Sequence, residues 1–431
     1  MRKYTLNRAF KIVLRVESTP LQAEAFSDIC DKNRVIALIY GIYTALPTVS
    51  LKACAVLLYG AKCFLSFRDK PMRKAQIAAA GTFVNEKRVV CEFQRLAKSV
   101  DVRSIELSNW HSLSIESWLA LLHILPRTRN LYRLCRRLAA RYDFMPSCRS
   151  LSVIAYGIRM HRVLAEHTPA AALIPSSYAP DSMALAFAAH KCGAKVIYTN
   201  HAHAAPLFDY IAPIHADLSI LTGRAVFETY SRRSHVEGDV VYKGFLSEER
   251  PIAATSLQDR ARKLTVGIFL TSLTDMPVLQ TFARSLVESL ALARIVIRPH
   301  PVALLRDDFA GLCARVSEVE VEPGGSLIEC AKSCDLVVCG NSSAVLEVLK
   351  AGVPVAYNGS LDRAPDDYCG FVSAGLIPRC PDDLEALPRA LVDFYRQENW
   401  IIKMRYFDDS YGKNLEMVRA EVEKFVESCV R

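Results

Sequence analysis

From about residue 74 onward, short apolar runs alternate with longer stretches in which apolar residues recur every three to four positions. "AQIAAAGTF" reads as a strand, "NEKRVVCEFQRLAKSV" as a helix and "VRSIELS" as a strand, and a helical stretch covers 113–166. "AALIPSS", the helix "DSMALAFAAHKCG", and the strands "AKVIYTN", "ADLSILT" and "DVVYKGF" complete a first series. Short runs that are apolar throughout are strands buried on both faces, as in a parallel sheet covered by helices. Residues 247–262, "SEERPIAATSLQDRAR", are polar, carry Pro251 and read as a linker. A second series follows: "KLTVGIFLTS", a helix over 276–290, "ARIVIRPHP", "EVEVEP", the helix "SLIECAKS", "DLVVCG" and "GVPVAYNG". Helices at about 382–398 and 413–430 end the chain.

The pattern predicts an α/β protein of two Rossmann-like, doubly wound parallel-sheet domains facing a cleft. The first covers 74–250 with a helical insertion, the second 263–400, and C-terminal helices occupy 401–431. A length of 431 residues fits two such domains and an added segment. That segment is residues 1–73, a basic and apolar helical extension. Within it, 35–51 ("VIALIYGIYTALPTVSL") carries no charge, and "ACAVLLYG" follows Lys52. The uncharged run is near the lower limit for crossing a bilayer and is broken by Pro47 and Lys52. Further on, "RTRNLYRLCRRLAARYDF" sets Leu131, Leu134, Cys135 and Leu138 on one helical face and Arg129, Arg133, Arg136, Arg137 and Arg141 elsewhere. A basic amphipathic helix of this kind lies on a membrane surface.

Charge sharpens that picture. Residues 1–150 hold 25 Lys+Arg and 11 Asp+Glu, a net of +14, whereas the whole chain is +9, leaving about −5 for the rest. A basic front asks for an anionic partner, and a membrane surface is the expected one. Nucleic acid is not expected, because no interleaved aromatic platform or known module accompanies the cations. The 14 cysteines are scattered, none forms a CxxC pair and no export signal precedes them, so they read as free thiols in a reducing compartment. The expected location is cytoplasmic, peripheral at the inner face of the membrane.

Open parallel sheets bind ligands outside the carboxyl ends of their strands, so candidate chemistry is sought there. In the second half one strand end gives Thr271, Ser272 and Thr274, another Arg298, His300 and Pro301, and a third Gly340, Asn341, Ser342 and Ser343 before a helix. A helix start with free N–H groups, two hydroxyls, a glycine allowing close approach and nearby cationic groups make a site for a diphosphate. Glu347, one turn into that helix, is placed to accept from ribose or base hydroxyls. In the first half, His201 and His203 share the loop "TNHAHAAP", shaped by Asn200 and Pro206, and Asp181 follows "IPSSYAP" at another strand end. Any of these three is a candidate general base for an acceptor hydroxyl. The His-x-His pair lacks a third ligand at matching spacing, and no metal or cofactor is expected.

The pair "RPHP" (Arg298 to Pro301) and "GNSSAVLEVLKAGVPV" (Gly340 to Val355), about forty residues apart with a βα unit between, resembles the HP and SS motifs of GT-B glycosyltransferases of the bacterial capsule and surface-polysaccharide type. Polysialyltransferase-like, Kdo-transferase-like and CDP-glycerol glycerophosphotransferase-like enzymes share it. The resemblance covers roughly 170–400, and most firmly 263–360; residues 1–73 match nothing in it. It implies a GT-B fold, with His300 contacting the donor phosphate and assisting the leaving group, and Ser342 and Ser343 binding the same phosphates. It further implies transfer of a sugar from a CMP-, CDP- or UDP-linked donor to a surface glycan or lipid-linked acceptor. The expected mechanism is a metal-independent single displacement that inverts the anomeric centre. Two alternatives stand beside it: a UDP-GlcNAc 2-epimerase-like enzyme of the same fold, and a non-catalytic GT-B subunit of a polysaccharide export complex.

Overall fold

Alternation within the short strands decides which helices cover which face. Ile77 and Ala79 of β1 (Gln76–Ala79) point to one side and Ala78 to the other, and all three are fully buried. The same holds for β10 (Leu336–Cys339), buried at every position, because a central parallel strand has helices above and below it. A computed structural model describes residues 4–66, 76–81, 84–105, 128–166, 168–200, 203, 205–245, 249–258, 263–271, 273–300, 308–397 and 399–430.

The first lobe is a six-stranded, all-parallel sheet in the order β2-β1-β3-β4-β5-β6. Its remaining strands are β2 (Asp101–Ser104), β3 (Ala171–Ile174), β4 (Lys195–Thr199), β5 (Leu218–Leu221) and β6 (Asp239–Tyr242). The second is a five-stranded parallel sheet in the order β11-β10-β7-β8-β9, from β7 (Leu264–Phe269), β8 (Leu292–Arg298), β9 (Val319–Val321), β10 and β11 (Val355–Tyr357). These are the two doubly wound domains expected from the sequence, and every strand it proposed is present. The helices Arg224–Arg233 and Phe309–Arg315 escaped the pattern, being short and largely polar.

Both ends of the chain belong to the first lobe. The helix Leu6–Glu17 buries Ala9, Ile12, Val13 and Val16 among Met160, Met183 and Ala186, and its Glu17 meets the Arg149 guanidinium at 2.5 Å. The last helix, Leu415–Val430, sets Val422 and Val426 against Ile77, Phe93, Leu173 and Ile197 on the opposite face of the sheet. Residues 401–431 are thus no separate appendage, since their last helix closes the core of the first lobe. The extension of residues 1–73 likewise begins as part of that lobe. The helices Pro20–Lys32, Arg34–Ala45 and Val49–Leu65 complete it, around a smaller core of Phe26, Tyr43, Val56, Cys135, Phe144 and Cys148. Among the described residues no helix is long and apolar enough to cross a membrane.

Where the lobes join, Lys350 and Asp408 are fully buried and paired, with Nζ 3.0 Å from Oδ2. Lys350 ends the helix Ala344–Lys350 of the second lobe and also donates to Ser410 Oγ and the Phe245 carbonyl. Asp408 in turn accepts from the Phe245 N–H at 2.9 Å and the Ser410 hydroxyl at 2.7 Å. The two covalent crossings between lobes are thereby tied into one polar knot.

Candidate functional site

In the second sheet the chain steps outward from β7 to β9, then returns to lay β10 on the other side of β7. The crevice of a doubly wound sheet opens at such a reversal, here between the carboxyl ends of β7 and β10. Cys339, Phe269 and Arg298 stand level in the ladder, so the loops carrying Gly340–Ser343, Thr271 and His300 leave the sheet side by side. In the first sheet the reversal lies between β1 and β3, and Ser176, Ser177 and Tyr178 follow β3. The two reversals face each other. A cavity of about 250 Å³ between the lobes is lined by Ser176, Ser177 and Tyr178 from one and by Asn341 and Ser343 from the other.

The turn after β10 is held open by Asp362. Its carboxylate accepts from the Asn341 N–H at 2.7 Å and from Asn341 Nδ2 at 3.1 Å. A Cβ on Gly340 would stand 2.2 Å from Asp362 Oδ2, so the position accepts only glycine without displacing the brace. Asn341 Oδ1 accepts from the Tyr357 hydroxyl and the Tyr368 N–H, which makes this side chain a hub of the turn. Ser342 Oγ accepts from the Ala344 N–H at 3.3 Å, a local turn one residue before the helix cap. Ser343 makes no capping bond, and it lines the cavity. Thr271 uses its hydroxyl to accept from the Leu273 N–H at 3.2 Å and its carbonyl to accept from Thr274 Oγ1 at 2.8 Å, fixing the loop after β7.

On the opposite wall, His203 follows β4. Asn200 and Thr222 exchange two hydrogen bonds of 3.0 Å and pin the start of its loop to the end of β5. The imidazole packs on Phe371 and Phe407, with ring centroids 5.1 and 5.3 Å away, and its Nε2 stands 3.2 Å from the Cys369 carbonyl. A carbonyl can only accept, so Nε2 carries the proton and Nδ1, buried with no partner among the described residues, keeps its lone pair. Burial pushes the His203 pKa down to about 4, the Cys369 carbonyl opposing it, so the ring is neutral at pH 7. Around it stand Tyr198 and Tyr230, hydroxyl to hydroxyl at 3.3 Å, with the Ser177 hydroxyl 3.2 Å from Tyr230. Burial raises the Tyr178 phenol to about 12 and that of Tyr198 upward as well, so both are protonated donors.

Other predicted residues lie elsewhere or turn away. The Arg298 guanidinium points to the β9 side and donates to the carbonyls of Glu322, Gly324 and Gly325. It shapes that loop rather than facing the crevice between β7 and β10. Asp181 is buried in the first turn of the helix Pro180–Cys192, accepting from the Ser182 N–H at 2.9 Å. His300 is half-buried, and burial lowers its pKa. Glu347 faces the other lobe, where Arg88 Nη2 reaches Oε1 at 3.3 Å. His201, Ser272 and Pro301 lie outside the described residues.

Sequence reasoning missed the tyrosines. Tyr178, Tyr198, Tyr210, Tyr230 and Tyr368 all line the cavity, yet come from five separate segments. Only Tyr178, directly after a strand end, carried a signal that could have been read. The reach of the first helix into the site was missed too: Val16 lines the cavity, and Arg15 stacks on the Tyr210 ring at 4.2 Å.

No family model matches this chain. No curated protein matches it either. Among solved structures, a kitacinnamycin glycotransferase aligns over 84% of this chain and 100% of its own at 12% identity, TM-score 0.49. A UDP-N-acetylglucosamine 2-epimerase aligns over 82% and 96% at 14% identity, TM-score 0.47. MurG of Acinetobacter baumannii aligns over 81% and 90% at 13% identity, TM-score 0.44. At these identities nothing about donor, acceptor or reaction is carried over from them.

Proposed function

We propose that the chain is a GT-B glycosyltransferase that moves a sugar from a nucleotide-activated donor, CMP-, CDP- or UDP-linked, to a surface glycan or lipid-linked acceptor. The work is proposed to take place in the cytoplasm, at the inner face of a membrane, in surface-polysaccharide synthesis. The observation that carries the reading is the cavity bounded by both chain reversals, with a neutral imidazole on one wall and the Gly340–Ser343 turn on the other.

In this reading the donor diphosphate or phosphate lies against the Gly340–Ser343 turn, with Ser343 and the backbone N–H groups as donors and His300 two strands away, beyond β7. Thr271 and Asn341 hold the turn rather than touch the phosphate. Glu347 takes the ribose hydroxyls once Arg88 releases it. The acceptor hydroxyl approaches from the tyrosine side, and His203 Nδ1 takes its proton as the oxygen attacks the anomeric carbon, after the ring leaves the Cys369 carbonyl. Charge then grows on the leaving phosphate, where fixed donors stabilise it most. His203 is preferred to Asp181 because its ring lines the shared cavity and has a nitrogen with no partner among the described residues.

A thermal-shift panel of CMP, CDP, UDP, GDP and their sugar conjugates is the test. One nucleotide family should stabilise the wild type, and Ser343→Ala should weaken that stabilisation. Stabilisation by none of them would overturn the reading. So would conversion of free UDP-GlcNAc to its C2 epimer with no acceptor present, which is the chemistry of the rival class.

A further inference from the structure

The helix Arg34–Ala45 has two apolar faces, and among the described residues only one is packed against the rest of the protein. Tyr40 and Tyr43 turn inward: the Tyr40 hydroxyl donates to Asp143 at 2.7 Å, and the Tyr43 ring meets Phe144 at 4.8 Å. On the other side Val35, Leu38, Ile39 and Ile42 fall at i, i+3, i+4 and i+7, one stripe, and they are 66%, 65%, 46% and 58% exposed. Leu51 and Leu58 of the helix Val49–Leu65 are exposed as well, Leu58 to 71%. Seven of the twelve large apolar side chains exposed among the described residues lie between Val35 and Leu58. Apolar exposure this concentrated marks a surface that is covered in use.

Charge says what covers it. From Asn33 to Ser66 the chain carries Arg34, Lys52 and Lys62 and no Asp or Glu. Packed on the helix Val49–Leu65 is the helix Thr128–Arg141, which buries Cys135 and Leu138 and exposes Arg129, Arg133, Arg136, Arg137 and Arg141, again without an acid. We infer that this helical subassembly is an interfacial docking surface for an anionic lipid bilayer, with the Val35–Ile42 stripe sunk to the acyl boundary and the arginines at the phosphates. A polyanion would engage the arginines and leave the stripe in water, and an apolar protein groove would give the arginines no counter-charge. A bilayer with anionic headgroups satisfies both. Twelve residues span about 18 Å of helix, short of the roughly 30 Å hydrocarbon core, so the helix lies in the interface and does not cross it.

The docking surface names the residues behind the membrane attachment proposed above, and it does not depend on the transfer reaction. It is tested by co-sedimentation of the full chain, with no nucleotide or acceptor, on phosphatidylcholine vesicles with and without phosphatidylglycerol. The wild type should bind the anionic vesicles and not the neutral ones, and part of that binding should resist raised salt. Arg133→Gln/Arg136→Gln/Arg137→Gln should weaken anionic binding by about tenfold or more. Leu38→Gln/Ile42→Gln should abolish the salt-resistant part. Both variants should keep the wild-type melting temperature, since all five positions are exposed. Wild type left in the supernatant with both vesicles would overturn the inference, as would a stripe variant that binds as tightly as wild type. So would a wild-type dimer, seen by light scattering and lost in Leu38→Gln/Ile42→Gln, because a second copy would then own the stripe. A thermal-shift response to nucleotides without vesicle binding would sink this inference alone and leave the transferase reading standing.

Discussion

Arg88 of the first lobe and Glu347 of the second meet across the cleft, Nη2 to Oε1 at 3.3 Å, while Arg88 also approaches Glu92 at 3.8 Å. The pair holds Glu347 where a donor ribose is proposed to bind, so a ligand and Arg88 compete for one carboxylate. Arg88→Ala should tighten nucleotide binding by a few fold, and Glu347→Ala should weaken it by about tenfold. The stability change in Arg88→Ala should stay below about 1 kcal/mol, as for an exposed ion pair. Calorimetric titration of both variants measures this, and equal losses in both would refute the competition.

The joint between lobes depends on Lys350 and Asp408, both without exposed side-chain surface. Lys350→Met leaves the Asp408 carboxylate buried without its cation, and should cost about 3–5 kcal/mol. Urea unfolding reads the loss. The double variant Lys350→Met/Asp408→Leu should recover part of it, because no charge is then left stranded.

His203 makes stability depend on acid. Its folded pKa is depressed to about 4 by burial, against about 6.5 in an unfolded chain. Below 6.5 the unfolded chain takes up a proton that the folded ring refuses. The contribution is therefore fully present above about pH 6.5, declines as pH falls towards 4, and amounts to at most about 3 kcal/mol. Unfolding free energies between pH 7 and 4 should show this slope, and His203→Gln should flatten it. If His203 is the base, kcat/KM should hold through pH 6 and fall only nearer 4, and His203→Gln should lose activity by about a hundredfold or more.

Gly340 tests the turn separately from its hydroxyls. Gly340→Ala sets a methyl 2.2 Å from Asp362 Oδ2, which should cost about 1–3 kcal/mol. Donor binding should fall together with stability. Ser343→Ala should weaken donor binding with the melting temperature unchanged, since the Ser343 side chain makes no capping bond. A Ser343→Ala variant that binds the donor as wild type does would remove that hydroxyl from the proposed phosphate site.

The chain's own pattern determined the layering. Runs such as Leu336–Cys339 are too short and too evenly apolar for anything but a strand covered on both sides, and Gly340–Ser343 after one of them marked the turn proposed to hold the donor. Local sequence carries such signals because strand burial and caps are decided by neighbours within a few residues. What only the tertiary structure decided was partnership. Nothing local says that His203 lines the cavity between the lobes while Asp181 does not, or that Arg298 turns to the carbonyls of 322–325, because each depends on strands brought together from far apart. The five cavity tyrosines, the pairing of Lys350 with Asp408 and the return of Val422 and Val426 to the first lobe belong to the same class. Burial and pairing are properties of a folded surface, and a linear chain does not yet have one.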